Sequence, residues 1–315
     1  MRAPLAVLLI AAVVGTVGGC GTDDDGAPRG GGLPAAGGGG DLRYAVPKLP
    51  ADLDPLAADS RSEQVVSRQV YEPLVGSNRP PYGGDVSREG LAASVTPSST
   101  RAEWTIVLRP GVRFQDDTPL DVAALLANLR RWIASPAGAR LLPGAFGADS
   151  PRPGAVRLLF TGPADGVPAL LSAPELGLVS PDALDPQGGD RFRLRPGADQ
   201  AGTGPFGLRA RTGGSLELAR NSGWWGSSLG LGPALDTVAF VEAPAATERA
   251  ALLGARGVEV ADAVGSAGLR AIAEDPLLRS RGGRDGVAYV ASVRGLDAPP
   301  ALPRLSAVWL TNIGE

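Results

Sequence analysis

The side chains that most enzymes use for nucleophilic, acid–base or metal chemistry are scarce in this chain of 315 residues. It has no histidine, so neither a Ser-His-Asp nor a Cys-His nucleophile can form, and histidine-ligated zinc, copper or iron is excluded. Cys20 is the only cysteine, which excludes an intramolecular disulfide and a cysteine-ligated metal cluster. Lys48 is the only lysine, and its proline-flanked, extended surroundings are a poor place to bury and activate an amine.

Paired carboxylates are the catalytic system that this composition still allows. The adjacent Asp116 and Asp117 do not suit acid–base chemistry, because neighbours on an extended segment point to opposite faces. We therefore expect a protein that is not an enzyme and uses no cofactor and no metal, with a carboxylate-based hydrolase as the rival among enzymes. The formal net charge of −3, without a basic block, also argues against nucleic acid as a partner.

The N-terminal segment has the features of a bacterial lipoprotein leader. The apolar run 5–14 has the length of a signal-peptide core and is too short to span the roughly 30 Å of a bilayer. Val17, two glycines and Cys20 follow, which resembles the lipobox where such leaders are cleaved. We therefore predict a lipoprotein signal peptide over 1–19 and a Cys20 that carries lipid, including acyl chains such as palmitate. The alternative is an ordinary secretory signal with an incidental cysteine.

A glycine-rich tether over residues 20–41 is predicted after the leader. About 20 flexible residues span roughly 25 Å r.m.s., and two acyl chains on one residue give stable anchoring where one chain does not. These features predict a protein held by lipid at the extracytoplasmic face of the cell membrane.

The remainder of the chain predicts alternating strands and helices, and 43% hydrophobic residues are enough for a sizeable core. Alternating apolar residues predict strands over 42–46, 103–109, 155–160, 206–211, 215–220, 237–242, 258–260, 287–293 and 305–310. Helical spacing predicts helices over about 60–73, 119–134, 245–255 and 265–274. The expected class is α/β, of the mixed α+β kind.

Local signals place the ends of several of these elements. Ser60 and Glu63 have the spacing of a capping box at a helix start. Thr118 suits an N-cap, with a proline at the first helical position. Gly213 and Gly214 suit the turn of a hairpin, since glycine accepts a positive φ.

Several segments match, in order, the motifs of one protein family. They are Leu53-Asp54-Pro55, the run 70–75 (VYEPLV), the run 104–114 (WTIVLRPGVRF), the run 202–206 (GTGPF), the run 220–225 (RNSGWW) and the region 252–262. Together they resemble the large solute-binding proteins of peptide-type ABC importers, family 5, which includes oligopeptide-, dipeptide- and nickel-binding proteins. Two positions depart from the pattern: Gln115 stands where the family has His, and Asp117 where Gly is usual.

The resemblance implies a type II fold like that of periplasmic binding proteins, represented mainly by its first lobe. We expect solute-binding lobe I over 42–262, with a subdomain of about 79–200 inserted in it. Residues 263–315 would be a remnant or the start of lobe II, so the second lobe would be absent or vestigial. We hypothesise that the predicted strand 305–310 returns to the sheet of the first lobe.

The resemblance also implies a function. A protein of this family captures peptides or related small solutes and delivers them to an ABC permease in the membrane; we expect a monomer. The alternative is a degenerate member that acts as a structural or interaction lipoprotein without a ligand.

Five residues are candidates for contact with the ligand. Asp54 could meet a cationic group, although Asp-Pro also starts turns. Tyr71 is an aromatic residue at a helix end near the expected cleft, where core packing is the alternative. Thr203 and Gly204 could present N–H groups to a ligand or form a tight turn before a strand. Trp224 could stack on a ligand or act as a structural anchor.

Overall fold

The computed structural model describes residues 39–76, 90–186, 192–194, 201–229, 231–233, 235–275, 278–282 and 288–292. The predicted signal peptide, Cys20, the tether as far as residue 38 and the predicted strand 305–310 lie outside the described residues. Within the described part of the chain, no helix has the length and apolar character needed to cross a bilayer.

Thirteen strands and six α-helices make up the described fold. The strands are β1 (Asp41–Val46), β2 (Ala92–Pro97), β3 (Glu103–Leu108), β4 (Ala145–Arg152), β5 (Ala155–Phe160), β6 (Leu184–Pro186), β7 (Phe192–Leu194), β8 (Phe206–Arg211), β9 (Ser215–Arg220), β10 (Thr237–Glu242), β11 (Val260–Ala261), β12 (Leu278–Gly282) and β13 (Ala288–Ser292). The helices are α1 (Arg61–Ser67), α2 (Val122–Ile133), α3 (Pro136–Leu141), α4 (Val167–Leu170), α5 (Ala246–Gly254) and α6 (Gly265–Ala273).

A seven-stranded sheet, here called the large sheet, has the order β12-β13-β11-β1-β10-β9-β8. Strand β1 lies in its middle and pairs in parallel with β10 on one side and β11 on the other. The other neighbouring pairs are antiparallel. Because β13 pairs with β11, residues beyond 262 continue this same sheet.

The large sheet carries a hydrophobic core on each face. Leu42, Tyr44 and Val46 of β1 pack on one face, together with α1 and strands β8 to β10. Ala45 packs on the opposite face with Leu253 of α5. Since successive side chains of a strand point to opposite faces, β1 is covered on both sides and anchors the two layers.

A four-stranded antiparallel sheet, β2-β3-β5-β4, has its own core. Helix α2 packs against it through Leu125, Leu129 and Trp132, which recur at helical spacing and are fully buried. Residues 92–160 thus form a second packing centre inside the segment that separates β1 from β8.

Most of the predicted elements are confirmed. The strands at 42–46, 155–160 and 237–242 and the helices at 245–255 and 265–274 are present within one residue of the expected ends. The hairpin β8–β9 is also confirmed, with Thr212 N–H donating to the Ser215 carbonyl across its turn at 2.9 Å. The stated reason for that turn was wrong, because neither Gly213 nor Gly214 lies in the left-handed region.

The first helix begins as predicted and ends earlier. Ser60 and Glu63 form the capping box, but α1 stops at Ser67 rather than near Pro73. The helix stops because the following carbonyls have other partners: Gly204 N–H donates to the carbonyl of Val70 at 2.8 Å. Phe206, the first residue of β8, likewise donates its N–H to the Gln69 carbonyl at 3.0 Å, so the segment that leads into β8 occupies carbonyls that a longer helix would have used.

Two other predicted boundaries were wrong by a few residues. Asp121, not Thr118, caps α2 and accepts the Ala124 N–H at 2.9 Å. The Thr118 carbonyl instead accepts the Phe114 N–H at 2.9 Å, which keeps the chain in a tight turn until residue 120. The short strand predicted at 258–260 is β11 at Val260–Ala261.

Candidate functional site

The parallel strands of the large sheet end at one edge, and this edge is the candidate site. The chain runs from β10 through α5 to β11, passing over β1, which lies between the two strands. The Ala243 N–H donates to the Val46 carbonyl at 2.9 Å, and the Asp262 N–H donates to the Ala45 carbonyl at 3.0 Å. Ligands of open α/β sheets bind outside the carboxyl ends of strands where the strand order reverses. We call residues 46–49, 59–63, 242–244 and 261–263 the carboxyl edge.

An ion pair joins the segment after β1 to the start of α1 across the carboxyl edge. The Lys48 ammonium lies 2.8 Å from the Glu63 carboxylate and 3.8 Å from that of Asp59. The Glu63 side chain is 5% exposed, whereas those of Lys48 and Asp59 are 56% and 81% exposed. Charges of both signs are therefore available to solvent here.

The buried member of this ion pair stays ionised. Burial raises the pKa of Glu63, but hydrogen bonds from Lys48 and Ser60 outweigh it and lower the pKa to about 2. The hydrogen bond to Glu63 in turn raises the pKa of Lys48. The only lysine of the chain is thus a fixed cation and not an activated amine.

Buried polar groups lie behind this ion pair. The Asp262 side chain is buried, and Tyr44 is fully buried in the neighbouring strand. Burial raises the pKa of the Tyr44 hydroxyl well above its usual range; the charge of Asp262 adds to this, and that of Arg61 opposes it. Glu242 accepts the Leu49 N–H at 2.9 Å and so fixes the segment that carries the lysine.

The chemistry that the carboxyl edge can perform is recognition by charge and hydrogen bonding. Asp59 and Lys48 offer an exposed anion and cation within one small region. In the described part of the chain, no three acidic or cysteine side chains are grouped to hold a metal ion. The arrangement suits a small solute that carries ammonium, carboxylate or amide groups.

Asp54, the first predicted contact, is used inside the fold. Its carboxylate pairs with Arg131 of α2 and also accepts the Leu56 N–H at 3.0 Å. Both side chains are largely buried. This pair ties the segment after β1 to the helix of the four-stranded sheet.

Three other predicted contacts are buried where the Gly-Thr-Gly segment meets the chain after α1. Tyr71, Thr203 and Gly204 are all buried, and the Gly204 N–H donates to Val70. The Gly204 carbonyl accepts a hydrogen bond from the side chain of Gln115 at 3.2 Å. Gln115, which stands where the family has His, therefore helps to hold the Gly-Thr-Gly segment in place. The structure therefore places the Gly-Thr-Gly segment in a close backbone contact.

Gly202 shows how close this contact is. A Cβ at that position would lie 1.8 Å from the carbonyl oxygen of Val70. Only glycine leaves room for two backbones at this separation.

Trp224, the fifth predicted contact, binds a carboxylate that the sequence reasoning missed. Its indole N–H donates to Glu72 at 3.2 Å, and the neighbouring Trp225 donates to the second oxygen at 2.8 Å. The Arg109 guanidinium lies 4.7 Å from the centre of the Trp225 ring. The interpretation of Trp224 as an anchor fits this geometry. Glu72 stood within the matched run 70–75, where no local signal distinguishes it.

The Glu72 carboxylate lies in an environment that favours its neutral form. Burial raises the pKa of Glu72 to about 7, against the opposing hydrogen bonds of the two indoles and the charge of Arg109. The Glu72 carboxyl links the loop after β9 to the segment after α1. Glu72 is not one of the residues that define the carboxyl edge.

The adjacent Asp116 and Asp117 form a turn, not a catalytic pair. The Asp116 carboxylate accepts the Thr118 N–H at 3.0 Å, and Asp117 has a φ of 66°. Aspartate tolerates this left-handed conformation better than most residues, which accounts for its presence where the family uses glycine.

Comparisons with known proteins agree with this architecture. Residues 88–299 match the family model for bacterial extracellular solute-binding proteins, family 5 Middle. The glutathione-binding protein GsiB of Salmonella paratyphi A is 29% identical over 218 residues, which are 68% of this chain and 40% of that protein. GsiB of Escherichia coli K12 is 28% identical with the same coverage. The chain thus spans 40% of the length of these relatives.

Solved structures show the same fold. The binding protein AgaA of A. tumefaciens R10, in complex with agropinic acid, is 25% identical with a TM-score of 0.63, covering 76% of this chain and 47% of that one. The periplasmic binding protein DppA of Helicobacter pylori, in complex with the peptide STSA, is 21% identical with a TM-score of 0.61, covering 78% and 51%. The expected mixed α/β fold of type II binding proteins is confirmed.

Proposed function

Because the chain belongs to the bacterial extracellular solute-binding proteins of family 5, we propose that it binds a peptide or a related small solute and delivers it to the permease of an ABC importer. The charged carboxyl edge at the reversal of strand order is the observation that carries this proposal. The protein then holds a solute and transforms none.

The names of the relatives narrow the class of solute. GsiB is a glutathione-binding protein, and AgaA and DppA were solved with agropinic acid and with a peptide. Peptides and glutathione carry ammonium, carboxylate and amide groups on one short molecule. Asp59 and Lys48 are the exposed partners that we assign to the first two of these groups.

The proposed setting is the outer face of the cell membrane. The lipobox-like pattern that ends at Cys20 supports cleavage after residue 19 and lipid attachment, with residues 20–41 as the tether. We propose the same division of the chain: lobe I over 42–262, a subdomain of about 79–200 inserted in it, and a remnant or the start of lobe II over 263–315. The proposed oligomeric state is a monomer. A Cys20→Ala variant is expected to leave the membrane fraction and to lose palmitate labelling; a variant that stays in the membrane would contradict the anchor.

Binding can be tested with the full chain in a thermal shift assay against glutathione and a set of di- to tetrapeptides. A true solute at 100 times its Kd stabilises the folded state by about 2.7 kcal/mol through mass action. Asp59→Asn should weaken binding of an ammonium-bearing solute, because its exposed carboxylate is lost.

Asp165→Asn is the matched control, since Asp165 is similarly exposed, at 77%, and pairs with Arg101 at the four-stranded sheet. A melting temperature that stays constant across the whole set, for the unmodified chain, would contradict solute binding. That result would favour the alternative, a structural or interaction lipoprotein without a ligand.

A further inference from the structure

A buried arginine lies directly behind the carboxyl edge. Arg249 of α5 is 3% exposed, and it donates hydrogen bonds to four main-chain carbonyls. Its Nη1 donates to Ala243 at 2.5 Å and to Pro244 at 2.7 Å. Its Nε donates to Asp262 and its Nη2 to Ala263, each at 2.7 Å. One guanidinium thus joins the loop after β10 to the loop after β11.

This arrangement is specific to the planar, forked shape of arginine. A guanidinium presents five N–H donors in a fixed geometry, whereas the ammonium of lysine is a point charge with three donors. Burial disfavours the charged form and lowers the pKa of Arg249. The four carbonyl dipoles supply the compensation that a buried cation requires.

One of the two loops is strained. Ala263 has a φ of 50°, in the left-handed region that residues with a Cβ avoid. Such a conformation persists only where the surrounding structure imposes it, and strained residues of this kind cluster at functional sites. The bond from Arg249 to the Ala263 carbonyl is a contact that holds this turn.

The strained turn directly follows a buried carboxylate, that of Asp262. Ala261 packs on the α5 face of the large sheet, so the alternation of side chains directs Asp262 to the face of Tyr44. The charges of Asp262 and Arg61 both act on the Tyr44 hydroxyl, which places the three groups near each other. Arg249 lies on the α5 face of the large sheet, so it acts on the Asp262 side chain through the main-chain carbonyls of Asp262 and Ala263.

We propose that Arg249 is a positioning residue for solute binding: it clamps loops 243–244 and 262–263 so that Asp262 and its neighbours keep the geometry of the carboxyl edge. The effect of Arg249 on solute binding rests on the proposed function. The clamp itself can be measured without a ligand. Arg249 itself is buried behind these loops and is not proposed to contact the solute.

Hydrogen exchange of the full chain tests the clamp. In Arg249→Met, the amides of Ala243 and Asp262, which bond to β1, should exchange at least about tenfold faster, while the amides of β9 change less than about twofold. Arg249→Lys should give an intermediate effect, which keeps the test valid if the methionine variant folds poorly. Arg270→Met, an exposed arginine of α6, is the matched control. Unchanged exchange at both amides would overturn the clamp.

Calorimetric titration with glutathione tests the positioning role. Arg249→Met should weaken binding at least about tenfold, and Arg270→Met should not. Adding Ala263→Gly to Arg249→Met should restore part of the affinity, because glycine adopts the strained φ without the arginine. Full affinity in Arg249→Met, or no recovery with glycine, would overturn positioning. If the unmodified chain binds neither glutathione nor any tested peptide, the proposed function fails, while the exchange result still decides the clamp.

Discussion

Replacing Glu72 by glutamine is expected to remove most of the pH dependence of stability between pH 5 and pH 8. The Glu72 carboxyl is held between the indole N–H groups of Trp224 and Trp225. Burial raises its pKa to about 7 from the usual value of 4.5. The chain has no histidine, so no imidazole titrates in the same interval.

The sign of the effect follows from the raised pKa. Between pH 4.5 and 7 the folded state binds the proton of Glu72 and the unfolded state has lost it. The free energy of unfolding therefore falls as the pH rises through this interval, and it levels off above pH 7. Linkage with these two pKa values gives a loss of about 2 to 3 kcal/mol between pH 5 and pH 8.

Urea denaturation followed by far-UV circular dichroism at pH 5, 6, 7 and 8 measures this loss. Glu72→Gln removes the titration, and its amide N–H₂ group meets an indole donor, so the variant should be less stable than the unmodified chain at pH 5. Its free energy of unfolding should then change much less with pH. Parallel curves for the two proteins would refute the assignment of the pH dependence to Glu72.

Three further changes test the packing around the site. Asp54→Ala leaves the buried Arg131 without its carboxylate and should cost about 3 to 5 kcal/mol in urea denaturation, whereas a cost below about 1 kcal/mol would contradict a buried ion pair. Gly202→Ala places a Cβ 1.8 Å from a main-chain oxygen and should lower the melting temperature strongly, while Gly213→Ala, with open space around it, should not; equal melting temperatures would show that the close backbone contact is wrong. Ser60→Ala removes the capping bond of α1 and should cost about 1 kcal/mol in the same urea assay, and no loss would argue against the capping box.

Local patterns identified most of the elements. The alternation in β1, β5 and β10 and the helical spacing in α2 were readable because a buried face must recur with the period of the backbone. The ordered motifs also pointed to the family that the comparisons show. The ends of α1 and α2 were less readable, because distant backbone partners decide where a helix stops.

The candidate site was only partly visible in the sequence. The sequence predicted a helix cap at Ser60 and Glu63. For Lys48 it indicated only that the surroundings do not suit an activated amine. The joint role of these residues depends on the 2.8 Å contact between Glu63 and Lys48, which forms only where the segment after β1 meets the start of α1. Four of the five predicted contacts are buried in packing, and the fifth, Asp54, forms an ion pair.

By itself the sequence determined which chemistry is impossible, where the most regularly patterned strands and helices lie, and which family the chain belongs to, because composition, periodicity and motif order are properties of the linear chain. The tertiary structure alone decided which charges meet. Glu72 contacts two indoles 152 and 153 residues away, and Arg249 bonds to two loops whose separation in space is set by the order of strands in the large sheet. Burial and close approach across such distances arise only when the layers pack, and they determine which groups stay ionised and which loops are held.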